Sequence, residues 1–314
     1  MTNVSVVICA YTEQRWDAIV AAVRSARQQT TPPREVILVV DHNQDLLERA
    51  RATIPDAEVI ANRGSRGLSS ARNTGIAAAR GELIAFLDDD ATAAPDWLER
   101  LSGWCMHANI LGAGGSVEAC WQASRPVWFP EEFDWVVGCS YRGLPTHAAR
   151  VRNPFGGCMC IRREVFESVG GFDDGLGRVG RVPAGCEETE LCIRARRRWP
   201  DRIFMYEPRA KIYHQVPATR GTWRYFRERC YMEGISKSHV ARIAGSADGL
   251  AAERSYTSRT LPRGIARNLS NAVRCGEVSG LLRAGSIVAG LSFVAAGYAV
   301  GASSEAGRQL RCAY

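Results

Sequence analysis

Lysine is almost absent from this chain. Of 40 basic residues only Lys211 and Lys237 are lysines; the others are arginines. Arginine is the better bidentate partner for phosphate and carboxylate, and a GC-rich coding sequence would produce the same bias. Also missing are C-x-x-C pairs, which removes zinc-ribbon and thioredoxin-like readings of the 11 cysteines. No phosphate-loop lysine motif and no G-x-S-x-G occur, so ATPase and serine-hydrolase readings lose their residues. Neither zinc-finger spacing nor a basic stripe interleaved with aromatics argues for nucleic acid. No internal repeat is visible. The first residues enter a strand-like run without a charged-then-apolar leader, so a signal peptide is not expected.

What is present is the composition of a folded protein. The chain has 314 residues, 46% apolar and 23% charged, with a formal net charge of +7. That length can bury a core without a disulfide or metal staple. Cys9 and Cys160 lie in apolar runs and read as small core residues. Free buried thiols fit a reducing, cytoplasmic compartment.

The N-terminal part alternates strand and helix. Val4 to Ala10, Glu35 to Val40 and Leu83 to Leu87 are short, almost wholly apolar runs. They read as buried parallel strands, with Glu58 to Ile60 a shorter fourth. Helical patterns cover Trp16 to Gln28, Leu46 to Ala52, Leu68 to Ala79 and Pro95 to Trp104, the last with proline in its first turn. Such a sheet binds ligands at the carboxyl ends of its strands. The turn after the first strand, Asp41, and Asp88 to Asp90 are therefore expected to converge. From about residue 111 the pattern is mixed. Gly112 to Tyr141 reads as loops and short antiparallel strands, and helices are expected at Arg163 to Val169, Glu188 to Arg198 and Trp223 to Ala244. Trp121, Trp128, Phe129, Phe133, Trp135 and Tyr141 fit either core packing or stacking on a sugar.

Asp88-Asp-Asp90, at the end of an apolar strand, places three mutually repelling carboxylates side by side. A divalent cation would offset that repulsion, and Mg²⁺ and Mn²⁺ favour carboxylate oxygen with phosphate as co-ligand. The triplet reads equally as a solvated acidic turn. Upstream, Asn62-Arg-Gly-Ser-Arg-Gly-Leu-Ser-Ser-Ala-Arg-Asn73 combines glycines with arginines suited to phosphate; it also reads as a glycine-rich loop with Ser69 capping a helix. Downstream come Phe155-Gly-Gly157, Arg162-Arg163 to Gly170-Gly-Phe-Asp173, and Gly185-Cys-Glu-Glu188. Gly175 to Gly180 matches G-x-G-x-x-G, but neither a strand precedes it nor a helix follows, so it reads as a flexible loop near an acceptor.

In order along the chain, these segments resemble family 2 glycosyltransferases, inverting enzymes of the GT-A fold, over Val4 to about Lys237. The resemblance implies an α/β fold: a Rossmann-like, mostly parallel sheet flanked by helices, with a mixed acceptor-side half. Residues 1–110 would bind the nucleotide sugar, 111–240 would bind the acceptor and carry catalysis, and 241–314 would add C-terminal helices. Ala10, Tyr11, Thr12, Glu13, Asp41, Gly67, Arg72, Asp88 and Asp89 fall on the nucleotide-sugar side. Within that set, Tyr11, Glu13 and Asp41 would hold base and ribose. Asp90 would bind the metal, Mg²⁺ or Mn²⁺, with His214 as a candidate further ligand; a lone histidine is as readily structural. Glu188 falls on the position of the catalytic base, with Glu187 its runner-up. Arg227 and Arg229 would meet diphosphate or an anionic acceptor, or form a solvated face.

Two departures from the family pattern matter. The second strand ends Asp41-His-Asn instead of Asp-Asp-Gly-Ser, and the acidic pair is Glu-Glu instead of Glu-Asp. The expected reaction moves a hexosyl group from a nucleotide-diphosphate sugar, a UDP-sugar by preference. The acceptor is a saccharide hydroxyl or a polyprenyl or lipid phosphate, in bacterial cell-envelope glycan or glycolipid synthesis. A nucleotidyltransferase would want a glycine-rich basic loop directly after the first strand, which Tyr11-Thr-Glu-Gln-Arg15 does not supply. A silent sugar- or lipid-binding scaffold would not need Asp90 and Glu188. Finally, 21 uncharged residues separate Arg283 from Glu305, with arginines before them. A helix there is long enough to span a bilayer, to lie on its inner face or to pack on the protein.

Overall fold

A computed structural model describes residues 3–178, 185–245 and 254–303. The chain forms two compact units, each assembled from two stretches of sequence: residues 1–118 with 145–214, and residues 119–144 with 215–314.

The first unit is built on a nine-stranded sheet in the order β3-β2-β1-β4-β8-β6-β9-β5, with β7 (Ala149–Val151) paired to β9. β1 (Val4–Ala10), β2 (Glu35–Val40), β3 (Glu58–Ala61) and β4 (Leu83–Asp88) are parallel to their neighbours. β8 (Cys158–Arg162) joins β4 antiparallel and starts the mixed half, with β6 (Ile110–Trp121), β9 (Ile203–Val216) and β5 (Ala91–Ala93). β1 and β2 are buried along almost their whole length because helices cover both faces, so alternation with polar residues is not needed. α1 (Trp16–Arg27) buries Ile19, Ala22, Val23 and Ala26. α2 (Gln44–Thr53) follows β2, with Asn43 accepting from the Leu46 amide at its start.

α3 (Leu68–Ala78) lies on the face of Val7 and Val39. A β-carbon at Gly75 would come within 2.4 Å of Val7, so glycine there permits this close approach. The core on that face runs from Val7, Ile37 and Phe86 to Met159, Phe166, Leu191 and Phe204. α4 (Trp97–Cys105), α5 (Arg163–Val169) and α6 (Glu187–Arg198) complete the layers.

Most expected elements form within a residue or two of their boundaries, with three differences. Gly112 to Tyr141 does not break into short strands: its first part belongs to the twelve-residue β6. The glycines read as loop are there because backbone crowds them; a β-carbon on Gly115 would meet the Ala210 carbonyl at 1.9 Å. Pro95 precedes α4 and Asp96 is its cap residue, so the proline is not in the first turn. Ser69 does not cap α3; Gly67, at φ 140°, occupies that position, and the Ser69 hydroxyl donates to the Leu176 carbonyl.

The second unit is mainly helical. A 3₁₀ segment, Glu131–Val137, is followed by α7 (Trp223–Ala244), α8 (Leu261–Cys275) and α9 (Val278–Ala302). Phe129, Phe133 and Phe226 are fully buried; Phe129, Phe133 and Trp128 meet Phe226 edge-on or tilted, and Trp223 stacks on it. Core packing therefore accounts for much of the aromatic stretch. Arg227 is exposed, and Arg229 is paired with Glu233 at 2.7 Å.

Candidate active site

The site is assembled at the carboxyl ends of the parallel strands, all within the first unit. β1 ends at Ala10, buried, and runs into Tyr11, Thr12 and Glu13, all half-buried. Thr12 accepts from the Gln14 amide and so starts a short 3₁₀ turn, Glu13–Arg15. β2 ends beside Asp41, whose two oxygens are both engaged. One accepts from Asn62 Nδ2 at 2.7 Å and the other from the Gly67 amide at 3.0 Å. Asp41 therefore braces the glycine-rich loop that leads into α3.

β4 delivers Asp88, and the next two residues turn back. The register Cys9↔Asp88 puts Asp88 on the face covered by α3, where Arg72 Nη2 lies 3.6 Å from it. Asp90 precedes β5, and the pairing Ala91↔His214 carries His214 from the distant β9 to its side. His214 Nδ1 is 3.0 Å from Asp90 Oδ1, and both side chains are buried. Sheet register thus converts a lone histidine in the sequence into a neighbour of the acidic triplet.

Asp88, Asp90 and His214 can each offer one ligand atom, and those atoms lie within 4.8 Å of one another. Two carboxylate oxygens and one imidazole nitrogen suit Mn²⁺, and the carboxylates suit Mg²⁺. The residues present fit such an ion. Asp89 does not share this cluster's direction. It is buried against Arg15, whose Nη1 is 2.8 Å from Asp89 Oδ1 and 3.0 Å from Asp90 Oδ2. Burial, reinforced by Asp90 and Asp88, pushes the Asp89 carboxyl up to about 7 against the pull of Arg15. The sequence alone does not single out Arg15. Its signal is its place one short turn beyond the first strand, in the loop already expected at the site.

Arg72 and the acidic pair form a second buried set. Arg72 Nη1 meets Glu187 Oε1 at 2.7 Å, and both side chains are buried. Burial works against the Arg72 charge, but Glu187 and then Asp88 outweigh it and raise the guanidinium above its ordinary value. Glu187 and Glu188 both stand in the first turn of α6, where the helix dipole favours negative charge. They differ in direction: Glu187 is buried on Arg72, whereas Glu188 is only half-buried. Gly156 and Gly157 make room for this arrangement. A β-carbon at Gly157 would sit 2.1 Å from Asp88 Oδ2, and one at Gly156 would sit 3.0 Å from Arg72 Nη1.

Two residues carry unusual backbone. Among the described residues, only His42 (φ 48°) and Cys186 (φ 74°) are non-glycines with positive φ. One follows Asp41 and the other immediately precedes Glu187-Glu188. Left-handed backbone at a side-chain-bearing residue costs energy and collects at functional sites. The loop from Asp173 is tied to α3 through the bond from the Leu68 amide to the Arg178 carbonyl. The rest of the Gly175 to Gly180 motif lies outside the described residues.

Carboxylates converging at the strand ends of a curled α/β sheet flanked by helices define a GT-A glycosyltransferase fold, and solved structures share it. The mannosyltransferase PcManGT from Pyrobaculum calidifontis, in complex with GDP-Man and Mn²⁺, matches with a TM-score of 0.59 over 96% of this chain and 88% of its own, at 17% identity. GalNAc-T7 with UDP, GalNAc and Mn²⁺ matches at 0.51 over 75% of this chain and 51% of its own, also at 17%. In sequence, residues 5–170 match glycosyl transferase family 2. Glucosyl-dolichyl phosphate glucuronosyltransferase of Haloferax volcanii is 35% identical over 239 residues, 75% of this chain and 76% of that protein. Succinoglycan biosynthesis protein ExoM of Rhizobium meliloti is 24% identical over 305 residues, 89% and 93% of the two chains. This chain belongs to glycosyl transferase family 2 and is a glycosyltransferase. The family match ends before α6 and β9, which carry Glu187, Glu188 and His214.

Proposed function

We propose that the protein transfers a sugar from a nucleotide-diphosphate sugar, a UDP-sugar by preference, to an acceptor hydroxyl or a lipid-linked phosphate, with inversion. The observation that carries this reading is the meeting of Asp88, Asp90 and His214 at the strand ends. Those three would hold Mg²⁺ or Mn²⁺, which supplies positive charge to the diphosphate leaving group. Tyr11, Thr12, Glu13 and Asp41 border the strand-end crevice where base and ribose would lie. Gly67, held by Asp41, shapes the loop beside them. Arg15 holds Asp89 and Asp90 in place and offsets part of their repulsion.

Glu188 is the general base in this account. It takes the proton from the acceptor hydroxyl as that oxygen attacks the anomeric carbon from the face opposite the diphosphate. Where the acceptor is a phosphate, already ionised, no proton need be removed and a general base is not required. Glu187 is committed to Arg72, which leaves the less buried carboxylate for the acceptor. A lipid-linked saccharide acceptor is supported by the glucosyl-dolichyl phosphate in the name of the Haloferax relative, and with such an acceptor the activity would lie at the inner face of the cell membrane. A screen of nucleotide-sugar donors with Mn²⁺, reading released nucleoside diphosphate, tests the reading. Release with at least one donor, abolished by excess EDTA, is expected; full activity in EDTA contradicts it.

A further inference from the structure

The second unit carries an apolar surface that catalysis does not use. α9 has no charged residue after Arg283, and its outward positions are apolar or small. Leu281, Leu282, Val288 and Leu291 are exposed along one side at helical spacing, and α8 adds Leu269 and Val273, the latter 85% exposed. Such a patch on a soluble helix needs an occupant.

The opposite side of α9 is already occupied. A β-carbon on Gly297 would lie 2.0 Å from the Tyr231 carbonyl of α7, and one on Gly234 of α7 would lie 2.1 Å from the Val294 carbonyl. Gly301 packs as closely on Ser238, and Gly280 on Asn268 of α8. The α7 and α9 backbones therefore touch over several turns, and Arg242 of α7 donates to the Gly301 carbonyl. α7 is not a lipid-compatible helix. Arg229 and Lys237 pair with Glu233 in its middle, and Arg224, Arg227 and Glu228 lie at its start. A helix bound along α7 would draw those charges into the hydrocarbon if it crossed a bilayer, at high cost. α9 is long and apolar enough to cross a bilayer, but its packing on α7 argues for lying flat.

The charges nearby indicate what it lies on. Residues 254–303 contain six arginines and one carboxylate, Glu277. Arg254, Arg259, Arg263 and Arg274 are exposed. An apolar stripe accompanied by arginines fits the interface of a bilayer with anionic headgroups. A second copy of this chain would bring the same arginines against each other. We propose that the exposed sides of α8 and α9 form an in-plane docking surface for an anionic lipid leaflet. This deepens the lipid-linked acceptor reading and rests on it for its purpose. Its test is separable, because donor hydrolysis in solution reports the catalytic reading alone.

Full-length protein is sedimented with vesicles of phosphatidylcholine, with or without phosphatidylglycerol. Binding to the anionic vesicles, released by high salt or alkaline carbonate, is expected. Leu281→Asp/Leu291→Asp should weaken it by a factor on the order of ten or more while leaving release of nucleoside diphosphate unchanged. Arg263→Glu/Arg274→Glu should weaken it too, and serves alone if the first variant fails to fold. Retention through alkaline carbonate would mean a spanning helix. A dimer without vesicles that the Leu281→Asp/Leu291→Asp change dissociates would mean a second copy. Either result, or equal binding to neutral vesicles, or none, overturns the proposal.

Discussion

The two units depart from ordinary packing in different ways. In the first, ionisable groups are buried side by side around strand ends: Arg72 with Glu187, Arg15 with Asp89 and Asp90, His214 with Asp90. In the second, glycines bring helix backbones into contact inside, while apolar side chains face outward. Buried charge is costly unless paired, and exposed apolar surface is costly unless covered. These departures point to the uses proposed for the two units: chemistry in one, attachment in the other.

That contrast can be broken from the catalytic side first. Glu188→Gln keeps the shape of the side chain and removes its basicity. Transfer to a hydroxyl acceptor should fall by roughly 10² to 10⁴, with donor affinity unchanged by equilibrium binding. If Glu187→Gln is the inactive variant and Glu188→Gln is not, the assignment within the pair is reversed. Next, Glu187→Gln should chiefly cost stability, because it strands the buried Arg72 charge. A loss of about 3 kcal/mol is expected, read as a lowered denaturation midpoint; an unchanged midpoint would mean the pair does not form.

In the second unit, Gly297→Leu should destabilise by about 1–3 kcal/mol through overpacking against the Tyr231 carbonyl. Thermal unfolding checks it, and no change would mean α9 does not dock on α7. A smaller, pH-dependent effect belongs to Glu233. Burial alone would raise its carboxyl, but Arg229 and Lys237 outweigh burial and lower it to about 2. A lowered folded pKa gives stability that is complete above the unfolded value near 4.5 and is lost as pH falls toward 2. Glu233→Gln should flatten the acid limb of the stability profile over that window.

Much of the first unit is readable from sequence because its signals are local. β1, β2 and β4 are almost wholly apolar runs, and α3 starts at the glycine-rich loop that Asp41 braces. β6 and β9 are not readable in this way. β6 opens with Gly112, Gly114 and Gly115, whose only signal is the backbone pressed against them in three dimensions. β9 mixes Glu207, Arg209 and Lys211 with apolar residues. The site divides along the same line. The Asp triplet and the acidic pair stand out as local clusters. The company of His214 depends on the β5–β9 register, and that of Arg15 on the reach of a side chain across a turn. The separate directions of Glu187 and Glu188 follow from which side of α6 is buried, a fact of packing that two adjacent identical residues cannot carry.

The central claim is that Asp88, Asp90 and His214 hold a divalent ion for the donor's diphosphate. Its most direct test is calorimetric titration of Mn²⁺ in the presence of nucleoside diphosphate, on wild type and on Asp90→Asn. The account predicts saturable binding by the wild type, its loss in Asp90→Asn, and a parallel fall in turnover on the order of 10² or more. Equal Mn²⁺ affinity in the two proteins, with turnover intact, would contradict it.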